Sequence, residues 1–85
     1  MEATRVALIG IGRMGKQIAK RMSDEEDLRV VAAVAALGSS EIGEDVGLLA
    51  GVANFNVIVS PADNLDRILS ESKPQVVVDF TTADA

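Results

Sequence analysis

The sequence of 85 residues contains no cysteine, histidine, tyrosine or tryptophan. The lack of cysteine excludes a disulfide framework, a thiol nucleophile and a thiolate metal site. The lack of histidine removes the most common metal ligand and general acid or base. The remaining ionisable side chains are carboxylates, lysines and arginines, so a self-contained catalytic site would need an unusual carboxylate or lysine mechanism.

Positive charge, aromatic rings and long apolar runs are also scarce. The net charge is −5, and Phe55 and Phe80 are the two aromatic residues, whereas nucleic-acid binding needs a basic surface and stacking rings. No apolar run approaches the roughly 20 residues of a membrane span, and no signal peptide precedes the first apolar run. We predict a soluble cytoplasmic protein with neither a nucleic-acid nor a membrane partner.

The composition favours one small domain over residues 1–85 with a modest core. Hydrophobic residues make up 48% of the chain and the mean hydropathy is +0.27. These values are high for so short a chain, and they are expected if short strands are buried on both faces.

The most informative stretch is an apolar run followed by a glycine loop. Val6–Ile9 predicts a buried parallel strand, and the loop that follows has the spacing GxGxxG. In a dinucleotide-binding loop, Gly10 makes the tight turn, Gly12 lets backbone N–H groups approach a pyrophosphate, and Gly15 lets the next helix pack closely on the strand. The helix N-terminus adds free donors and the positive end of a dipole.

A helix and a second strand complete a βαβ unit. Met14, Ile18 and Met22 recur at helical spacing, which predicts a helix that buries this stripe in the core. The acidic segment Ser23–Asp27 then predicts an exposed turn, and Leu28–Val34 predicts the second strand. The whole unit has about the 30 residues that such a unit needs.

The second half predicts another strand, helix and strand. Asn56–Val59 has the pattern of a strand, Ser60 that of a helix N-cap, and Pro61 that of the first helical position. Pro74 stops the helix before a fourth strand over Gln75–Phe80. The buried face of this helix is predicted from Leu65, Ile68 and Leu69.

We therefore predict an α/β fold: a Rossmann-type open parallel sheet in the order β-α-β, loop or short helix, β-α-β, truncated after the fourth strand. Ligands of such sheets bind beyond the carboxyl ends of the strands. This edge gathers Gly10–Gly15, Ala35–Ser40 and Phe80–Thr82.

Three separated motifs together resemble the N-terminal domain of the 4-hydroxy-tetrahydrodipicolinate reductases (dihydrodipicolinate reductases), enzymes of lysine and diaminopimelate biosynthesis. Gly12–Gly15 reads GRMG, Gly38–Gly51 fits the pattern G-S-S-x-x-G-x-D-x-G-x-L-A-G, and Asp79–Thr81 reads DFT. In this order and at these spacings they cover nearly the whole chain.

The resemblance implies a domain that binds NADPH or NADH for hydride transfer to a cyclic imine diacid. It implies that Gly10–Met14 line the pyrophosphate and adenosine side, that Arg13 can meet a 2′-phosphate, and that Phe80 and Thr81 lie beside the nicotinamide half. The place of Asp45 in its motif is expected to reflect loop architecture rather than chemistry. The predicted cofactor-binding residues are Gly10, Ile11, Gly12, Arg13, Met14, Gly15, Ala35, Ala36, Phe80 and Thr81.

Two departures from the family pattern affect residues that are expected to bind the cofactor. The glycine loop is one residue shorter than in relatives, and Ala35 and Ala36 stand where an acid and often a basic residue hold the ribose or its phosphate. Each lost charge-assisted hydrogen bond would weaken binding by roughly 1.5–3 kcal/mol. Arg13, Ser39 and Ser40 could compensate at a phosphate, so the preference between NADH and NADPH stays open.

The family's substrate-binding residues lie in a second domain beyond Ala85, so we expect the chain alone to bind cofactor without turnover. The parent is expected to be a homo-oligomer through that domain, and the fragment a monomer or a dimer paired through a sheet edge. Two alternatives stay open: the first domain of another dehydrogenase, such as homoserine or aspartate dehydrogenase, or a truncated or engineered Rossmann module with no enzymatic role.

Overall fold

The computed structural model describes residues 3–79 and shows four parallel strands with three α-helices. The order along the chain is β1 (Thr4–Ile9), α1 (Arg13–Met22), β2 (Leu28–Ala35), α2 (Val46–Leu49), β3 (Ser60–Pro61), a 3₁₀ turn (Ala62–Asn64), α3 (Leu65–Ser72) and β4 (Val76–Asp79). Within this part of the chain no helix is both long and apolar enough to cross a bilayer.

The strands lie in the order β3-β2-β1-β4, and every pairing is parallel. This is the first part of the Rossmann strand order, in which the chain reverses direction across the sheet between β1 and β4. The predicted fold class is confirmed. A register shift between Val6 and Ala7 interrupts the pairing of β1 with β2.

The core is built on the two central strands. Leu8 of β1 and Val34 of β2 are almost completely buried, because strands in the middle of a parallel sheet are covered on both faces. Val46, Val59 and Ile11, from the connecting segments, join Leu8 in one hydrophobic cluster. On β4, at one end of the described sheet, Val76 and Val77 are exposed.

The third strand is not where the pattern predicts it. Instead of Asn56–Val59, residues Ser60–Pro61 pair with β2. Asn56 has a left-handed backbone (φ 60°). The Val57 carbonyl accepts the N–H of Val46, and Val59 accepts the N–H of Gly43 and donates to the carbonyl of Glu44. Because those backbone groups are already paired with this preceding segment, the ladder to β2 begins only at Ser60.

The start of the second long helix is also wrong in the sequence prediction. Ser60 belongs to β3, and Pro61 has an extended conformation (ψ 150°) that caps the 3₁₀ turn rather than opening an α-helix. The α-helix proper begins at Leu65 and ends at Ser72, before Pro74 as predicted. Its apolar face is half-buried rather than buried, at Leu65, Ile68 and Leu69.

Helix α1 buries a different stripe from the predicted one. Met22 is buried, but Met14 is 46% exposed and Ile18 is 37% exposed. The face against the sheet is instead made by Gly15, Ala19 and Met22. Small residues at this face let the helix backbone approach the strands closely, which is the role the glycine spacing predicts for Gly15.

Candidate functional site

The loop between β1 and α1 presents backbone donors at the carboxyl end of the sheet. Gly10 has a left-handed backbone (φ 79°), a conformation that favours glycine, and its N–H donates to the carbonyl oxygen of Val34 at 2.9 Å. Helix α1 begins after Gly12, and no side chain caps it there. The first-turn N–H groups therefore gain no acceptor from the N-cap residue, and a helix end of this kind suits an anion.

A pocket of about 390 Å³ opens beside this helix end. Its walls come from the loop after β1, the end of β2, the turn that follows β2, and the start of the 3₁₀ turn. The lining residues are Ile9, Gly10, Ile11, Gly12, Val34, Ala35, Ala36, Ser39, Glu41 and Ala62. The pocket lies where open α/β sheets bind their ligands, beyond the carboxyl ends of the strands.

The pocket brings together half of the residues predicted from sequence: Gly10, Ile11, Gly12, Ala35 and Ala36. Ile11 also belongs to the hydrophobic core and is almost completely buried. Arg13 and Met14 are exposed on the first turn of α1, outside the pocket lining, while Gly15 is buried in the helix face. Phe80 and Thr81 lie outside the described residues.

Sequence reasoning missed Glu41, which is the acidic side chain of the pocket wall. Its side chain is 20% exposed, and its carboxylate accepts a hydrogen bond from the Ser39 hydroxyl at 2.8 Å, while Lys16 Nζ lies 2.7 Å from the other carboxylate oxygen. The hydrogen bond from Lys16, reinforced by that from Ser39, holds the pKa of Glu41 below its ordinary value. The carboxylate is therefore charged and fixed at neutral pH.

No simple sequence signal identifies Glu41. It occupies a variable position of the G-S-S-x-x-G pattern, and it meets Lys16 only because α1 and the turn after β2 lie side by side in the fold. The turn itself closes through a hydrogen bond from Ser39 N–H to the Ala36 carbonyl oxygen at 3.0 Å.

Asp45 has a structural role, as its motif predicts. It is 4% exposed, and its oxygens accept backbone N–H groups from Phe55 and Val57 at 2.9 Å and from Leu48 at 3.2 Å. Burial is the largest influence on its pKa and opposes ionisation. The backbone hydrogen bonds together outweigh it, so the pKa lies below its ordinary value.

Crowding explains why the motif over Gly38–Gly51 has glycine at position 47. A Cβ atom at this residue would collide with the carbonyl oxygen of Ala53 and lie 2.9 Å from the backbone nitrogen of Phe55. Glycine is therefore needed here for the close approach of two backbone segments. Asp45 and Gly47 thus serve the fold, whereas Ser39 and Glu41 of the same motif line the pocket.

The comparisons with known proteins agree with this geometry. The sequence profile of the family described as "Dihydrodipicolinate reductase, N-terminus" matches residues 4–85. The chain is 46% identical to the 4-hydroxy-tetrahydrodipicolinate reductase of Methanocaldococcus jannaschii and 45% identical to that of Methanothermobacter thermautotrophicus, in each case over 82 residues. These alignments cover 95% of this chain but 30% of each relative, so the chain spans about a third of their length.

A solved structure supports the fold. The amine dehydrogenase of Mycobacterium smegmatis superposes with a TM-score of 0.73 at 27% identity, covering 87% of this chain and 21% of that protein. The profile match decides against the alternative of a homoserine or aspartate dehydrogenase, and it implies a nicotinamide dinucleotide as the cofactor. The chain belongs to the dihydrodipicolinate reductase family and corresponds to its N-terminal domain.

Proposed function

We propose that this chain binds the reduced dinucleotide NADPH or NADH in the pocket beside α1. The observation that carries the proposal is the uncapped N-terminus of α1, which opens at Gly12 onto the pocket. The N–H groups of this first turn would hold the pyrophosphate, helped by the helix dipole. The close backbone approach that this needs is supplied by Gly10 and Gly12.

The rest of the cofactor would extend to both sides of this helix end. The adenosine half would lie over the end of β2, where Ala35 and Ala36 supply apolar contacts. The nicotinamide half would lie towards the end of β4, with Phe80 and Thr81 beside it. This assignment follows the strand order, in which the two halves of a dinucleotide lie on either side of β1.

For the whole protein, we propose hydride transfer from the bound cofactor to 4-hydroxy-tetrahydrodipicolinate. The relatives that carry this name are longer than the present chain, and a residue that protonates the substrate would come from outside it. Within residues 3–79 the two carboxylates with altered pKa, Glu41 and Asp45, are both stabilised as anions by hydrogen bonds. Neither is suited to deliver a proton, so we expect the chain alone to bind without turnover.

The binding proposal can be tested by NMR titration of the isolated chain with NADPH and with NADH. Cofactor should shift the amide signals of Gly10–Gly15 and of Ala35. Gly12→Val places a branched side chain where the pyrophosphate approaches, and it should weaken binding at least tenfold, which equals about 1.4 kcal/mol. Gln17→Val puts the same side chain on an exposed position of α1 and should leave binding unchanged. Unshifted amide signals at millimolar concentrations of both cofactors would refute the proposal.

A further inference from the structure

The end of β2 has alanines at the position where Rossmann folds usually have an acid, and the pocket beside it contains the carboxylate of Glu41. In Rossmann folds, an acid about 20 residues beyond the glycine loop accepts hydrogen bonds from the hydroxyl groups of the adenosine ribose. Ala35 and Ala36 cannot do this, and both line the pocket. Glu41 lines the same pocket from the next turn, which the hydrogen bond between Ser39 and Ala36 folds back towards β2.

The Glu41 carboxylate is held in a way that leaves it able to bind. An ionised carboxylate has about four acceptor sites, and the described residues use one on each oxygen, through Ser39 at 2.8 Å and Lys16 at 2.7 Å. The Ser39 hydroxyl also accepts the N–H of Glu41 at 3.2 Å, which fixes the turn. The carboxylate is thus oriented before any ligand arrives and keeps acceptor capacity.

We propose that Glu41 is a specificity-determining residue of this pocket, whose carboxylate accepts the 2′- and 3′-hydroxyl groups of the adenosine ribose and so favours NADH over NADPH. This inference rests on the proposed binding of a dinucleotide. A 2′-phosphate would bring further negative charge against Glu41, and like charges at close range disfavour each other. Lys16 is already paired with Glu41, and Arg13 is exposed outside the pocket lining.

The inference can be tested by measuring the Kd of NADH and of NADPH through the fluorescence of the reduced nicotinamide. The chain contains no tryptophan or tyrosine, so emission from the protein does not interfere. The unmodified chain should bind NADH about tenfold more tightly than NADPH. Glu41→Gln removes the charge, keeps an oxygen for Ser39 and frees Lys16, so the ratio of the two Kd values should move towards NADPH by about tenfold.

Two further variants separate this role from a structural one. Glu44→Gln removes the same charge from an exposed acid of the same segment and should leave the ratio unchanged. Lys16→Met leaves the charge of Glu41 unbalanced and should move the ratio further towards NADH. The inference is overturned if the unmodified chain prefers NADPH, or if Glu41→Gln, with an unchanged circular dichroism spectrum, alters both Kd values by the same factor. If neither cofactor binds the unmodified chain, the proposed function itself is wrong and the inference fails with it.

Discussion

Glu41 and Asp45 lie in the same segment, and both have a pKa below the ordinary value, yet their surroundings differ in kind. Asp45 is buried and accepts only backbone N–H groups, from Leu48, Phe55 and Val57. Glu41 is partly exposed on the pocket wall and is held by two side chains. A carboxylate whose partners are backbone groups serves the fold, whereas one held by side chains at a pocket can serve a ligand.

The largest effect on stability is expected when the carboxylate of Asp45 is removed. Asp45→Ala removes the acceptor of the N–H groups of Phe55 and Val57, two half-buried residues, and an N–H group left without a partner away from water costs about 1–3 kcal/mol. We expect the free energy of unfolding to fall by about 3 kcal/mol in urea denaturation. Asp45→Asn, which keeps one acceptor oxygen, should lose less. A loss below about 1 kcal/mol for Asp45→Ala would contradict the structural role.

Low pH should also reveal the contribution of Asp45 to stability, because it removes the charge of its carboxylate. The pKa of Asp45 is lowered from 3.8, so its ionised form stabilises the fold above pH 3.8, and this stability is lost as the pH falls from 3.8 towards the folded pKa. Asp45→Asn has no charge to lose at this position. The gap in unfolding free energy between the unmodified chain and Asp45→Asn should therefore narrow below pH 3.8, and a constant gap would show that the charge of Asp45 contributes nothing.

The smallest effect on the free energy of unfolding is expected from a substitution of Glu41. Its ion pair with Lys16 is partly exposed, and pairs of this kind contribute about 0.2–1 kcal/mol. Glu41→Gln should lower the free energy of unfolding by less than 1 kcal/mol while changing cofactor preference, as measured by urea denaturation beside the binding titrations. A loss as large as that of Asp45→Ala would place Glu41 among the folding residues and remove the contrast.

The sequence predicts three of the four strands well and misplaces the third. The apolar runs of β1 and β2 are local patterns, and they identify the two central strands of the sheet correctly, while Gly10, Ile11 and Gly12 of the glycine loop line the pocket. The third strand is displaced to Ser60 because Val57 and Val59 bond to residues 43–46, a pairing that no local pattern shows. Glu41 was missed for the same reason, since its partner Lys16 comes from another element.

The prediction of the buried face of α1 was wrong for a different reason. Met14, Ile18 and Met22 have the right spacing for one face, but periodicity does not say which of two possible faces meets the sheet. The structure selects the face with Gly15 and Ala19, because small side chains permit closer packing than the methionine and isoleucine side chains would. The small size of Gly15 and Ala19 therefore helps to decide which face of α1 meets the sheet.

The crowding at Gly47 has a consequence for how this sequence can vary. Two of the three nearest atoms that a side chain would meet belong to the backbone of Ala53 and Phe55, and a backbone cannot move aside as the end of a flexible side chain can. A library of all substitutions at this position should therefore yield glycine almost alone among folded survivors. The exposed positions nearby, such as Glu44 and Leu48, should accept many residue types. Mutational tolerance would change abruptly along a few residues of a single turn.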